Sequence, residues 1–393
     1  MKKKAEEQPK KVQLGRPGNT LQMGIVGLPN VGKSSTFNLL SKLNIPAKNV
    51  MFCTIDPNKA KVEVPDERFD HLCESYKPKS KVPASLTILD IAGLVKGASQ
   101  NQGMGNAFLS HIQSVDGIFH VVRGFDDEEI QHYEGDLDAV RDLDIIHEEL
   151  MEKDKAMLMK ALEEVEKVVK RTNNKDSKEE KACLERVKEC YEKGENVRDQ
   201  QWNYKEIDIL NRYLFFTAKN VVYLVNISEN DYLKKKNRWL GKISKWVTEH
   251  GGGKIIPYSV SYEARLLEAT EEERKKIIAE TGVESALGKI INAGYHSLEL
   301  IHYFTAGEDE VKCWTIRQGC KAPGAAGVIH TDFERGFISA EVMKYDDFKA
   351  LGGEQEVKKE GKVRTEGKNY EVVDGDIIYF KFNVSDPGAK KKK

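Results

Sequence analysis

The sequence predicts an α/β protein, a mostly parallel, doubly wound sheet that is interrupted by a helical arm and followed by a separate α+β module. Three observations carry that prediction. Short apolar runs at 22–26, 59–64, 86–91, 117–122, 221–225 and 254–258 alternate with helix-forming stretches, the pattern of a parallel sheet covered on both faces with ligands at the carboxyl ends of its strands. A Glu- and Lys-rich stretch without proline, 135–203, breaks the alternation. Strand formers, turn glycines and the Asp374-Gly375 pair then fill 304–384, with one helical piece at Tyr345–Leu351.

The length supports this division, since 393 residues exceed one ordinary compact domain of roughly 100 to 200. The segmentation is a basic tail over 1–20, a nucleotide-domain pattern over 21–134 and 204–303, an inserted hairpin over 135–203, a C-terminal module over 304–387 and a basic tail over 388–393. In the inserted segment Leu143, Ile146, Leu150, Met157, Ala161, Val165 and Val168 recur at helical spacings, and Leu184, Val187 and Tyr191 continue the stripe after Thr172–Asp176. That pattern predicts two antiparallel helices closing a seam, a short coiled coil.

Composition excludes several classes. With 39% hydrophobic and 32% charged residues, no apolar run approaches the roughly 20 that a membrane span needs. Lys+Arg 62 against Asp+Glu 63 leaves a net charge of -1, so no overall field draws the molecule to a polyanion. Contact with RNA or a membrane surface must use a local patch, such as the lysine runs at the two ends. Six cysteines without a CxxC pair give neither a zinc framework nor a redox motif, and a start without a secretory apolar core predicts a cytosolic protein.

The chemistry begins at Gly27-Leu28-Pro29-Asn30-Val31-Gly32-Lys33-Ser34. This is G-x-x-x-x-G-K-[ST] in its required context, a strand before and a helix after. Glycines let backbone N–H groups wrap a polyphosphate, so Asn30, Val31, Gly32, Ser34 and Ser35 are candidate nucleotide contacts. Lys33 reaches the β and γ phosphates, and Ser34 places its hydroxyl on Mg²⁺. A P-loop nucleoside triphosphatase is therefore expected. Asp90-Ile91-Ala92-Gly93 ends a hydrophobic strand, where Asp90 can hold magnesium through a water and the Gly93 N–H can meet the γ-phosphate; Thr54 is placed to complete the magnesium shell.

These motifs, with Leu94-Val95-Lys96-Gly97-Ala98-Ser99 and Gly103-Met104-Gly105-Asn106, resemble the Obg-related translation-factor class of P-loop GTPases, and within it the Obg-like ATPase (YchF) subfamily. The resemblance covers nearly the whole chain. It implies an OBG-type G domain, an inserted hairpin and a C-terminal TGS domain of β-grasp fold, with ribosome or RNA and an activating protein as partners. Lys321, Lys344, Lys349, Lys358 and Lys359 could give the last domain a basic face, though acids interrupt it.

Base choice departs from ordinary GTPases. A guanine-reading loop carries Asn-Lys-x-Asp, whereas this chain has Asn226-Ile227-Ser228-Glu229. In the subfamily the N-x-x-E pattern goes with ATP. The expectation is ATP preferred over or alongside GTP, with Asn226, the Ile227 backbone and Glu229 at the base and Phe125 stacked on it; the alternative for Phe125 is a rim packing residue. Leu94 stands where a Ras-like enzyme has its water-orienting Gln and cannot hydrogen-bond water. His132 in the acidic loop is the candidate substitute if its imidazole is mobile, and otherwise it is an exposed surface residue. Asn30 adds a secondary expectation of K⁺ stimulation. Two rivals stay open: a nucleotide-gated adaptor with negligible turnover, and an ordinary GTPase.

Overall fold

The computed structural model describes residues 13–43, 58–91, 110–132 and 134–383. Thr54, Gly93 and Leu94 lie outside them. Strands in chain order are β1 (Gln22–Val26), β2 (Lys59–Glu63), β3 (Ser80–Val82), β4 (Ser85–Asp90), β5 (Gly117–Arg123), β6 (Asn220–Asn226), β7 (Lys254–Tyr258), β8 (Leu300–Ala306), β9 (Glu310–Arg317), β10 (Phe337–Lys344), β11 (Arg364–Glu366) and β12 (Asp376–Phe382). The chain divides into two compact units, one of residues 1–17, 21–62 and 87–297 and the other of 18–20, 63–86 and 298–393.

The first unit holds a sheet of order β2-β4-β1-β5-β6-β7. β4, β1, β5, β6 and β7 run parallel, with Ile25 opposite Asp90 and Phe119, and Val122 opposite Val225. Every residue of β5 is buried, as expected of a central strand covered on both faces. Parallel order brings the carboxyl ends of β1, β4, β5, β6 and β7 to one edge, where the site is built.

The inserted segment is a helix of 34 residues, Ala139–Thr172, and one of 18, Lys175–Glu192, joined by Asn173 and Asn174. Asn173 takes a left-handed φ of 51°, and Asn174 caps the second helix by accepting from the N–H groups of Asp176 and Ser177. The seam is Met151, Leu158, Ala161 and Val165 against Cys183, Leu184, Val187 and Tyr191. The expected stripe divides in two. Leu143 belongs to the core over the sheet, with Val122, Tyr223, Val225 and Ile243, so the first turns root the arm and only the later turns form the hairpin. Within the seam stretch, between Met151 and Leu158, sits Asp154, wholly buried, accepting from the N–H groups of Phe216 and Thr217 at 2.8 Å each. Burial lifts its carboxyl to about 6 against those hydrogen bonds. The arm's core also extends past residue 203, to Ile209, Leu210 and Phe215.

The second unit is a mixed sheet of order β11-β10-β12-β8-β9-β3, with β12 parallel to β8 and antiparallel to β10. The helix Ala322–Ile329 covers it through Ala322, Ala325 and Ala326, which pack with Tyr303, Ile316, Val342 and Phe380. This is the β-grasp module. Its composition differs from the expected segmentation in two ways. It begins at Leu298 and not at 304, because β8 is its central strand. It also takes in residues 63–86, which the alternating pattern assigns to the nucleotide domain. β3 pairs in parallel with β9, Asp66 bonds His302 at 2.8 Å, and Arg68 bridges Asp66 and Asp374. A three-residue edge strand, Ser-Lys-Val, carries no pattern that sequence could assign to one sheet or the other.

Candidate functional site

The loop after β1 is shaped by close approach. A Cβ on Gly27 would lie 2.5 Å from the Val121 carbonyl oxygen, and Gly32 has φ of 100° with room for no Cβ, Asn226 Nδ2 being 2.7 Å from where one would stand. Asn30 takes φ of 63° without being glycine, and its amide donates to the Gln131 carbonyl at 3.1 Å. Gly32 then caps the helix Lys33–Lys42 with no side-chain hydrogen bond and no acid in the first turn. The free N–H groups and positive end of that helix form an anion site. Val31 is buried at the loop's inner face, while Ser34 and Ser35 stand exposed.

Lys33 is only 8% exposed and donates to the Leu28 carbonyl at 2.6 Å, arching over the loop. Burial lowers its ammonium from 10.5 to about 8, opposed by the negative charge of Asp90. Thr36 bonds the Gly32 carbonyl and the Tyr258 hydroxyl, tying the helix to the end of β7. The Ser34 hydroxyl and the half-buried Asp90 carboxylate at the end of β4 are hard oxygen donors of the kind Mg²⁺ takes. Thr54 and Gly93, the other expected contacts at this end, fall outside the described residues.

The base-reading segment has a different character. Asn226 is 4% exposed, and both ends of its amide are used: Nδ2 donates to the Val31 carbonyl, and Oδ1 accepts from the Val260 N–H, each at 3.1 Å. Ile227 is buried, and its N–H donates to the Tyr258 carbonyl. Ser228 caps the short helix Glu229–Leu233 by accepting from the Asp231 N–H. Glu229 pairs with Arg265 at 3.0 Å. Asn226 and the Ile227 backbone, the expected base contacts, hold the loop and strand ends together in this structure.

Phe125 is half-buried, with the Arg123 guanidinium 4.6 Å from its ring centre. Arg123 itself is buried and donates to the carbonyls of Phe125, Asp127 and Ile130, so one side chain shapes the whole acidic loop. His132 does not meet the expectation of a mobile or exposed imidazole. It is 6% exposed, its Nε2 lies 2.9 Å from Asp142 Oδ2, and its Nδ1 accepts from the Glu134 N–H. To hold a water the ring would have to leave Asp142, whose carboxyl burial lifts above its ordinary range. Sequence reasoning missed Thr36, Arg123, Asp142 and Arg265. Only Asp142 carried a local signal, as an acid in the first turn of a capped helix.

A parallel sheet of this order, with a G-x-x-x-x-G-K-S loop between β1 and the next helix, defines a P-loop nucleotide-binding protein of the GTPase fold. Comparison with known proteins narrows the class. A family described as 50S ribosome-binding GTPase matches residues 22–177, and the YchF-GTPase C-terminal family, described as a protein of unknown function, matches 300–383. Obg-like ATPase 1 of Oryza sativa subsp. japonica is 57% identical over 377 residues, 96% of each chain, and that of Homo sapiens is 54% identical over 383 residues, 97% of this chain and 96% of its own. The YchF GTPase structure of Schizosaccharomyces pombe superposes with a TM-score of 0.86 at 52% identity, covering 94% of this chain and all of the other. The chain belongs to the Obg-like ATPase (YchF) family. The names of these relatives disagree on the base, one ATP and one GTP.

Proposed function

We propose that the protein is a magnesium-dependent nucleoside-triphosphate hydrolase that takes ATP in preference to, or alongside, GTP and works as a molecular switch. One observation carries the base assignment. The polar side chains of Asn226, Ser228 and Glu229 are engaged by other protein groups, leaving the base to backbone and ring-face contacts such as Phe125. Strong rejection of a wrong base depends on buried polar groups left unpaired in the wrong complex, and here those groups already have partners. Magnesium, when bound by Ser34, Thr54 and Asp90, neutralises charge on the β and γ phosphates. Lys33 supplies the protein's own cation there, and the helix N-terminus orients the phosphates.

Calorimetric competition of ATP against GTP in the presence of magnesium tests the assignment. ATP should bind at least as tightly as GTP, and a tenfold advantage for GTP would overturn it. The names of the relatives support hydrolysis, while Leu94 favours slow intrinsic turnover and an activating partner. On this reading His132 takes part only when its loop releases it from Asp142. A K⁺ role for Asn30 is a lesser part of the proposal, removed by equal rates in sodium and potassium. A ribosomal or RNA partner is supported by the family description of residues 22–177. The expected basic face lends little to it, since Lys358 and Lys359 pair with Glu354 and Glu356. No helix among the described residues is long and apolar enough to cross a membrane, and a cytosolic setting accords with the sequence.

A further inference from the structure

We infer that Arg265 is a specificity-positioning residue, one that weakens guanine recognition by engaging the Glu229 carboxylate. The inference rests on the base assignment above and supplies a cause for it. Guanine offers two adjacent donors, N1–H and the exocyclic amine, which a carboxylate at the last position of the reading segment accepts together. Adenine offers an acceptor at N1 and a C–H in place of that amine, so it gains no such pair of bonds from a carboxylate placed there. Glu229 occupies the position, but its Oε1 lies 3.0 Å from Arg265 Nη1. An ion pair at this distance draws the carboxylate toward Arg265 and competes for the negative charge guanine would use.

The geometry makes the competition fixed. Arg265 projects from the helix Val260–Glu268, whose first N–H holds the Asn226 amide oxygen. The same helix therefore grips the reading segment at both ends, Asn226 through Val260 and Glu229 through Arg265. It is anchored from behind by Glu263, wholly buried, which accepts from the Ser285 hydroxyl and the Ala286 N–H. The Arg265 guanidinium also lies 5.3 Å from the centre of the Tyr262 ring, a cation–π contact that adds to its restraint. The pair is partly exposed, Glu229 by 28% and Arg265 by 46%. Its contribution to folding is accordingly small, and its effect belongs to what Glu229 has left to offer.

The test is the ratio of GTP to ATP affinity, measured calorimetrically with magnesium on the full chain. Arg265→Ala should raise that ratio more than twofold, toward the roughly fivefold that a partly exposed ion pair can supply, Arg265→Lys should keep it within twofold of the parent, and Arg265→Ala combined with Glu229→Ala should return it to the parent value. Glu229→Ala alone should leave it unchanged. A ratio in Arg265→Ala within twofold of the parent overturns the inference, as does a fall in GTP affinity in Glu229→Ala, which would show the carboxylate already reading guanine. Should Arg265→Ala fail to fold, Arg265→Gln and the Glu229→Ala single variant read the same contact. Failure of the base assignment looks different: the parent itself would prefer GTP tenfold, whatever the variants do.

Discussion

The two ends of the nucleotide site are built on opposite principles. At the phosphate end the loop after β1 leaves donors unspent: an uncapped helix N-terminus, two exposed serines and a buried lysine whose hydrogen bond is to its own loop. At the base end every polar side chain from Asn226 to Glu229 is engaged by another part of the protein. The difference teaches where affinity and selectivity reside. On the proposed reading, the phosphate contacts are indifferent to the base, and base discrimination is reduced to shape.

The largest expected break in that comparison is Lys33→Ala. Losing the buried cation removes a charge-assisted phosphate contact of about 3 kcal/mol, so turnover measured by steady-state phosphate release should fall by about a hundredfold or more for both nucleotides. A rate indistinguishable from the parent would show that turnover is incidental and favour a nucleotide-gated adaptor.

Asn226→Ala comes next and sharpens the contrast. It strips partners from the Val31 carbonyl and the Val260 N–H, at a cost of about 1–3 kcal/mol. Affinity for ATP and GTP should fall together by about tenfold with their ratio unchanged, as titration of each would show. A change in the ratio would mean that the amide reads the base after all.

Alkaline pH gives the smallest effect and separates binding from folding by sign. Lys33 has its folded value lowered to about 8 from 10.5, so between these values the unfolded chain holds more protons and the contribution of Lys33 to stability rises with pH. Nucleotide binding favours the charged lysine. Affinity should therefore be flat below pH 8 and fall by less than tenfold from pH 8 to pH 9. Calorimetry across that range checks it, beside urea unfolding of the free protein.

What could be read from the sequence follows the same division. The phosphate loop, Lys33 and the strand and helix around them were legible because their constraint is local: glycines at fixed offsets, a lysine, a hydroxyl. The hairpin was legible from its helical stripe, since a packed face of that length must repeat. Asn226 and Glu229 were found by position, but their partners Val31, Val260 and Arg265 come from other elements, and no spacing announces them. His132 was found as a residue type in an acidic loop, and its burial against Asp142 depends on where the arm helix starts. The boundary at 298 and the transfer of residues 63–86 to the second unit escaped for the same reason: pairing between β3 and β9 is a long-range event that short strand patterns do not encode.

That transfer has a consequence for the order of synthesis. Phe69, Leu72 and Cys73 leave the ribosome early, yet the unit that buries them is completed only after β8 to β12 have been made. The nascent chain must carry an unpaired helix and strand through the making of the whole first unit. A protein truncated before Leu298 inherits that exposed apolar face permanently, so an isolated nucleotide domain made by trimming the C-terminus should aggregate unless residues 63–86 are replaced by a short polar turn.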